Sequence, residues 1–352
     1  MSRQIKFAEA IREATDQAMA RDPSVYLIGL GVPDPKGIFG TTTGLQQKYG
    51  AKRVMDMPLS ENAMTGVVIG SALVGMRPII THQRVDFSVL AMEQMVNQAA
   101  KWHYMFDGKH KVPMVVRMVI GRGWGQGPQH SQSLQAWFAH VPGLIVAMPT
   151  TAHDAKGMLL ASIEDDNPVI FLEHRWLHNI ADEVPADYYT VPLGKARVMR
   201  EGRDVTIVAT SYMALEALRA ADHLAKENIS AEVIDLRTIR PWDAEAVLAS
   251  VRKTGRLVVC DTSWKMFGIA AEVVATVTEA AFAALKAPPE RVALPDSPAP
   301  TSPALADHYF PRAGDVVLAA KRTLGLPLQT DAFELRPGQR LDVPDASFHG
   351  PF

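Results

Sequence analysis

The sequence predicts an α/β protein of two domains, each built on a largely parallel sheet with helices on both faces. Three observations lead there. Short apolar runs of strand length alternate with helical patterns along most of the chain, the pattern that parallel β–α units produce. That alternation breaks once, over residues 181–203, a polar stretch with Pro185, Pro192 and two tyrosines, and then resumes. A chain of 352 residues also exceeds what one small core organises. The expected division is a first domain over 1–180, a connection over 181–203, a second domain over 204–326 and a tail over 327–352.

In chain order, Ala8 to Ala20 reads as an amphipathic helix and Val25 to Gly29 as a buried strand. Val54 to Met57, Pro78 to Thr81, Val112 to Val119, Leu144 to Met148 and Val169 to Leu172 read as further strands. Between them lie helical patterns at Ala63 to Gly75, Phe87 to Tyr104 and Ala152 to Ile163. The second series has strands at Val205 to Ala209, Ala231 to Leu236 and Arg256 to Asp261. Its helices are expected at Ala214 to Glu227, from Pro241 to Val251, at Ile269 to Leu285 and at Ala313 to Leu324. Proline suits the first turn of a helix, which places Pro241 at a helix start. Residues 327–352 have little periodicity and read as an irregular tail or an arm that embraces a partner.

Composition excludes several classes. Hydrophobic residues make up 47% and charged residues 21%, ordinary for a soluble enzyme. A formal net charge of −2 gives no general basic field for nucleic acid or anionic lipid. The single cysteine, Cys260, excludes an intrachain disulfide and a cysteine-cluster metal site, and it sits in an apolar run as a structural thiol. No apolar run approaches the roughly 20 residues of a membrane span. Residues 1–20 carry charges throughout and lack an apolar signal core. A cytoplasmic protein is the expectation.

The segment Pro58-Leu59-Ser60-Glu61-Asn62-Ala63-Met64-Thr65-Gly66 places one carboxylate at the start of a helix containing Gly66 and Gly70 and ending at Gly75. Glycine weakens a helix interior by about 1 kcal/mol relative to alanine, so its repetition suggests close backbone approach to another helix or a bound ring. Glu61 is then a candidate acid/base group. The alternative is that Ser60 caps the helix and Glu61 only complements its positive end.

Gly121-Arg122-Gly123-Trp124-Gly125-Gln126-Gly127 follows an apolar strand and forms a glycine-rich loop, neither a P-loop nor a dinucleotide fingerprint. His130 just beyond it suits proton transfer near neutral pH, or simply lies on the surface. Phe87 is either core or a stacking platform. Alternation places His82 and Arg84 on one face of an extended segment, where they can meet an anionic substrate, although Arg84 can equally pair with Asp86 or Glu93. The turn from Ser162 to Pro168 ends a helix whose free carbonyls can bind a cation or merely meet solvent.

Together these segments resemble the beta subunit of the thiamine-diphosphate-dependent decarboxylating component of 2-oxo-acid dehydrogenase complexes. The resemblance runs from about Ile5 to Leu324. Its anchors are Asp56 to Glu61, Gly75-Met76-Arg77-Pro78, Asp86-Phe87, Gln129-His130-Ser131-Gln132, Val141-Pro142-Gly143-Leu144, Asp165 to Val169, Val233 to Thr238 and Pro298-Ala299-Pro300. It implies a pyrimidine-binding domain followed by a transketolase C-terminal-like domain. It further implies that Glu61 bonds the cofactor's pyrimidine N1′ and assists formation of the nucleophilic ylide. Phe87 would stack on the pyrimidine, Leu59 would help bind the cofactor, and His130 would orient substrate or shuttle a proton at acyl transfer. A potassium ion would be held by Met114, Ser162, Ile163, Asp165 and Asn167, mostly through backbone carbonyls.

The family's Gly-Asp-Gly motif for Mg²⁺ and the diphosphate is absent from the sequence; Gly314-Asp315 lacks the following glycine. The resemblance therefore implies an alpha subunit that holds Mg²⁺, an α2β2 heterotetramer, and a chain that is inactive alone. A small-molecule 2-oxo acid such as pyruvate is the implied substrate, and a lipoyl acyltransferase core the implied acceptor. The chain departs from the family pattern at Leu30, Thr81, His82, Arg84, Thr262 and His174 to His178, which makes the pocket surroundings more basic. Those departures motivate an alternative acceptor, an aldehyde or keto-sugar in an acyloin-forming or transketolase-like transfer. A non-catalytic scaffold is the third reading, and the presence of Glu61, Phe87 and His130 speaks against it.

Overall fold

A computed structural model describes residues 2–123, 125–328, 340–344 and 348. The chain divides into two compact units: residues 1–120 with 137–193, and residues 121–136 with 194–351.

The first unit opens with β1 (Ser2–Lys6), α1 (Phe7–Arg21) and β2 (Val25–Gly29). There follow β3 (Val54–Met55), α2 (Glu61–Leu73), β4 (Arg77–His82) and β5 (Val115–Ile120). It closes with β6 (Ile145–Ala147), α3 (Ala152–Glu164), β7 (Val169–His174) and β8 (Ala181–Pro185). Six of these strands form a parallel sheet in the order β6-β7-β5-β4-β2-β3. Burial on both faces explains why they are unbroken apolar runs rather than alternating ones: β2, β5 and β7 have every residue buried. The chain passes from β2 outward to β3 and then back across β2 to β4. The order therefore reverses between β2 and β4, and the crevice beyond their carboxyl ends is where such sheets bind ligands.

The first unit differs from expectation in three places. β1 pairs antiparallel with β8 at the start of the stretch read as a connection. The single helix expected from Phe87 is broken into a short helix at Val85–Ser88, a 3₁₀ turn, a π segment at Gln94–Ala99 and a final helix at Ala100–Met105. The third difference is at the start of α2, where the Ser60 side chain makes no capping hydrogen bond.

The second unit contains β9 (Arg197–Arg200), β10 (Val205–Ala209), α4 (Tyr212–Lys226), β11 (Ala231–Asp235) and α5 (Ala244–Thr254). It continues with β12 (Leu257–Trp264), α6 (Ile269–Ala281), β13 (Glu290–Leu294) and α7 (Ala313–Leu324). The order is β13-β12-β10-β11-β9, parallel except for the edge strand β9. Alternation along β10 separates two cores. Ile207 packs with α4 and α7, and Val208 packs with α5 and α6. Pro241 does not open α5; Asp243 caps it instead, its carboxylate accepting from the Ala246 N–H at 3.3 Å. Cys260 lies in the first of these cores, fully buried, and burial pushes its thiol pKa up, so it is chemically quiet.

Candidate active site

The candidate site residues of the first unit follow the carboxyl ends of β3 and β4. Asp56, just after β3, accepts from the Gly31 and Met57 N–H groups, each at 2.9 Å. It thereby ties the β2 exit to the turn that delivers Leu59 and Glu61. Gln83 Nε2 donates to the Leu30 carbonyl at 3.1 Å, fastening the β4 exit to the same loop. Glu61 then begins α2, where the free N–H groups and the helix dipole favour its negative charge. It is 6% exposed, whereas Leu59 beside it is 76% exposed and Phe87 38% exposed. A buried carboxylate, an open aliphatic two residues before it and a half-open aromatic after β4 are residue types that suit an aromatic heterocycle: an acid can meet a ring nitrogen, and apolar groups can meet the ring faces.

The glycines of this helix behave differently from one another. A Cβ on Gly66 would lie 3.2 Å from Gln94 Oε1, so this one serves close packing inside the unit. Gly70 has nothing of its own chain within 4 Å of that position. Gly75 lies beyond the helix end at φ +99°, a conformation that favours glycine.

His82 and Arg84 are both buried, at 2% and 3% exposure. His82 Nε2 lies 3.4 Å from Thr65 Oγ1 of α2, and burial lowers its pKa to about 4, so it is neutral near pH 7. Arg84 sits over the Phe39 ring at 5.9 Å, and Arg175 meets the same ring at 4.6 Å. Burial lowers the pKa of each guanidinium to about 10; for Arg84, Asp86 opposes that shift and Arg175 adds to it. Beside them Arg117 Nε and Nη2 reach the two Glu173 carboxylate oxygens at 2.7 and 3.1 Å, and His178 lies 3.3 Å from the same carboxylate. Burial pushes Glu173 up, but the Arg117 charge and the His178 and Arg117 hydrogen bonds outweigh it and hold the group ionised. A cavity of about 360 Å³, lined by Asp34, Pro35, Lys36, Gly37, Ile38, Phe39 and Gln83, opens against Phe39. Phe39 is not singled out by sequence pattern, and Asp56 and Arg175 enter only within an anchor motif and a departure from the family pattern, without roles of their own. The contacts that give them roles join segments far apart in the chain, which local periodicity does not report.

His130 belongs to the second unit. It ends a 3₁₀ turn, Pro128–His130, and its N–H donates to the Gly127 carbonyl at 3.1 Å. The histidine therefore rides on a compact loop rather than on the end of a strand.

The turn after α3 is organised by Arg77. Its Nη1 donates to the carbonyls of Ile163, Glu164 and Asp165 at 3.0, 3.3 and 3.0 Å, and its Nη2 pairs with Asp166. The Met114 carbonyl accepts from the Val169 N–H at 2.9 Å, and Asp165 Oδ1 accepts from the Asn167 N–H and side-chain amide at 2.8 and 2.9 Å. A guanidinium thus already serves two of the carbonyls expected to hold potassium, leaving each one further lone pair. Among the described residues, no group of three or more His, Cys, Asp or Glu side chains is assembled to hold a metal ion. No helix among them is long and apolar enough to cross a membrane.

This two-unit α/β architecture is that of the transketolase type of thiamine-diphosphate enzyme. Residues 3–179 match the transketolase pyrimidine-binding domain and residues 194–316 the transketolase C-terminal domain. The chain is 45% identical over 334 residues to the acetoin:2,6-dichlorophenolindophenol oxidoreductase subunit beta of Cupriavidus necator, covering 92% of this chain and 98% of that protein. It is also 45% identical over 325 residues to the mitochondrial pyruvate dehydrogenase E1 component subunit beta-2 of Oryza sativa subsp. japonica, covering 91% and 86%. A solved split-gene transketolase, described as an inactive beta4 tetramer, aligns with a TM-score of 0.76 at 25% identity over 92% of this chain and 99% of that one. The chain belongs to the family of beta subunits of the thiamine-diphosphate-dependent decarboxylating component of 2-oxo-acid dehydrogenases.

Proposed function

We propose that this chain works with an alpha subunit, as an α2β2 heterotetramer, to decarboxylate a pyruvate-like 2-oxo acid and pass the acyl unit to a lipoyl acceptor on an acyltransferase core. The observation that carries the pairing is the setting of Glu61: a buried carboxylate opening a helix whose Gly70 is open, in a unit that leaves Leu59 exposed and Phe87 half-exposed. Such a surface supports one end of a ring and leaves the rest to another chain. Thiamine diphosphate, when bound, supplies a nucleophilic carbon for addition to the ketone and an electron sink for the departing CO₂.

Glu61 would hold a proton at the ring nitrogen and so set the cofactor's tautomer. Leu59 and Phe87 would fix the ring plane and exclude water from it. His130 would orient the substrate or carry a proton at acyl transfer. Mg²⁺ and the diphosphate would be held mainly by the alpha subunit, since this chain has no Gly-Asp-Gly motif. Potassium at Met114, Ser162, Ile163, Asp165 and Asn167 would share carbonyls with Arg77, adding order to a turn that already has a cation. A cytoplasmic location belongs to the same proposal and is tested by fractionation. The function is tested by co-expression with a candidate alpha subunit and measurement of CO₂ release from pyruvate with an artificial electron acceptor. Activity that needs both chains supports it; a loaded pair inert towards every 2-oxo acid tried would contradict it.

A second reading is favoured by one cluster. Arg84 and Arg175 lie against the same Phe39 ring, next to a cavity near the ends of β2 and β4. That surrounding suits an anionic aldehyde or keto-sugar as acceptor in a two-carbon transfer. A sugar adduct formed in place of acyl-lipoyl product would select it. In either reading His82 and Arg84 are proposed to face substrate through the fields they set up, Arg84 as a fixed positive charge and His82 as a neutral dipole.

A further inference from the structure

The glycine-rich loop that carries His130 is held by a single buried arginine. Arg122 is fully buried; its Nη1 donates to the carbonyls of Gln126 and Pro300, and its Nη2 to the carbonyl of Thr301 at 3.1 Å. Its Nη2 also meets Asp342 Oδ2 at 3.0 Å. The Gln126 carbonyl in turn accepts from the Ser131 hydroxyl at 3.1 Å, and the Gly121 N–H donates to the Gln132 carbonyl at 3.0 Å, closing the loop on both sides of His130. A Cβ on Gly127 would lie 2.2 Å from Thr301 Oγ1, so the loop backbone rests directly on the segment Arg122 grips.

Asp342 lies 220 residues from Arg122 in sequence and is itself fully buried. The short segment around it is fastened at several points. Asp307 Oδ1 accepts from the Leu341 and Asp342 N–H groups at 2.8 and 3.2 Å. Arg312 donates to the carbonyls of Leu341, Val343 and Pro344 at 2.8, 2.9 and 3.2 Å. Arg340 Nε adds a bond to Asp342 Oδ1 at 2.7 Å. All these groups belong to the second unit. Backbone carbonyls take hydrogen bonds from Nη1 and Nη2 of Arg122, its Nε makes none among the described residues, and Asp342 brings the neutralising charge. A buried cation stripped of its counter-charge destabilises the element that holds it.

We propose that residues 340–344 form a latch that fixes the glycine-rich loop, with Asp342 as the positioning residue for His130. The catalytic half of this inference rests on the reading of His130 given above; the mechanical half does not. Without Asp342, Arg122 leaves its pocket for water, and the loop opens at Arg122-Gly123, a bond that trypsin recognises.

The test uses the full chain, Asp342→Asn, and a chain ending at Leu328. Each is digested briefly with trypsin under native conditions, and the fragment ending at Arg122 is quantified by mass. Cleavage there is expected to rise by about tenfold or more in both altered chains, because local opening governs the rate. A synthetic peptide of residues 337–352 should restore protection to the shortened chain, and the same peptide carrying Asp342→Asn should not. Unchanged cleavage in the shortened chain, or equal rescue by both peptides, would overturn the latch even if Asp342→Asn itself proved hard to fold. Activity separates the two halves. With an alpha partner, Asp342→Asn should lower kcat or raise KM in the same direction as His130→Ala, and the wild-type peptide should reverse the defect of the shortened chain. A fully active His130→Ala removes the catalytic half alone, while the protection experiment still decides the latch.

Discussion

The two units treat their functional edges in opposite ways. At the first, a buried carboxylate opens a helix on which Gly70 is open, and Leu59 and Phe87 are left exposed and half-exposed. At the second, the His130 loop is tied by Arg122, Asp342, Asp307 and Arg312, side chains supplied from the same unit. An edge left open and apolar is one that another chain completes; an edge closed by internal ion pairs already has its geometry. The difference teaches that the burial of a functional side chain says little by itself. What surrounds it decides whether the site is finished within the chain.

The comparison can be broken most severely inside the first unit. Glu173 and Arg117 form a closed ion pair there, each 1% exposed, in contrast to the open setting of Glu61. Arg117→Met should cost about 3–5 kcal/mol of stability because it strands a buried carboxylate. Chemical denaturation measures it, and a cost below about 1 kcal/mol would show that water reaches Glu173 readily. Glu61→Gln should instead leave the melting temperature near that of the parent and reduce activity of the paired enzyme by about 10²–10³-fold, equivalent to about 3–4 kcal/mol of transition-state stabilisation. If both changes damage stability equally, the contrast between closed and open carboxylates fails.

His82 sharpens the same contrast through pH. Its pKa falls from 6.5 to about 4 on burial, so the unfolded chain binds the proton more readily between those values. Stability should therefore fall as pH drops from 6.5 towards 4, by about 3 kcal/mol in all from this group. Denaturant titrations at pH 5 and 7 on the parent and on His82→Gln would show it as a difference between the two slopes. Equal slopes would mean that His82 reaches solvent. A smaller effect belongs to Gly70: Gly70→Ala should raise stability of the isolated chain by about 0.5–1 kcal/mol, since the helix gains and nothing in the chain is crowded. The same change should weaken pairing with an alpha subunit, measured by analytical ultracentrifugation, and unaltered pairing would remove Gly70 from the interface.

Much of this organisation is written locally. The strands β2 and β10 coincide with the apolar runs at Val25 to Gly29 and Val205 to Ala209, because a fully buried parallel strand needs such a run. The carboxylate at the head of α2 was equally readable from Pro58 to Gly66. What local pattern does not carry is pairing at a distance. β1 reads as polar because it lies at an exposed edge, and it becomes a strand only through β8. The π segment at Gln94–Ala99 interrupts a stretch whose helical periodicity looks continuous. The Arg122–Asp342 pair joins a glycine loop to an aperiodic tail, and neither partner is marked by its neighbours. Ser60 has the composition of a cap without forming one: at φ −156° and ψ 67° its side chain makes no capping hydrogen bond.

The central claim is that the site at Glu61 is completed by another chain. It is tested most directly by measuring thiamine diphosphate binding and CO₂ release for this chain, for its alpha partner and for the two together. The account predicts tight cofactor binding and turnover only in the mixture, with Glu61→Gln abolishing turnover while pairing persists. Full turnover by this chain alone would contradict it.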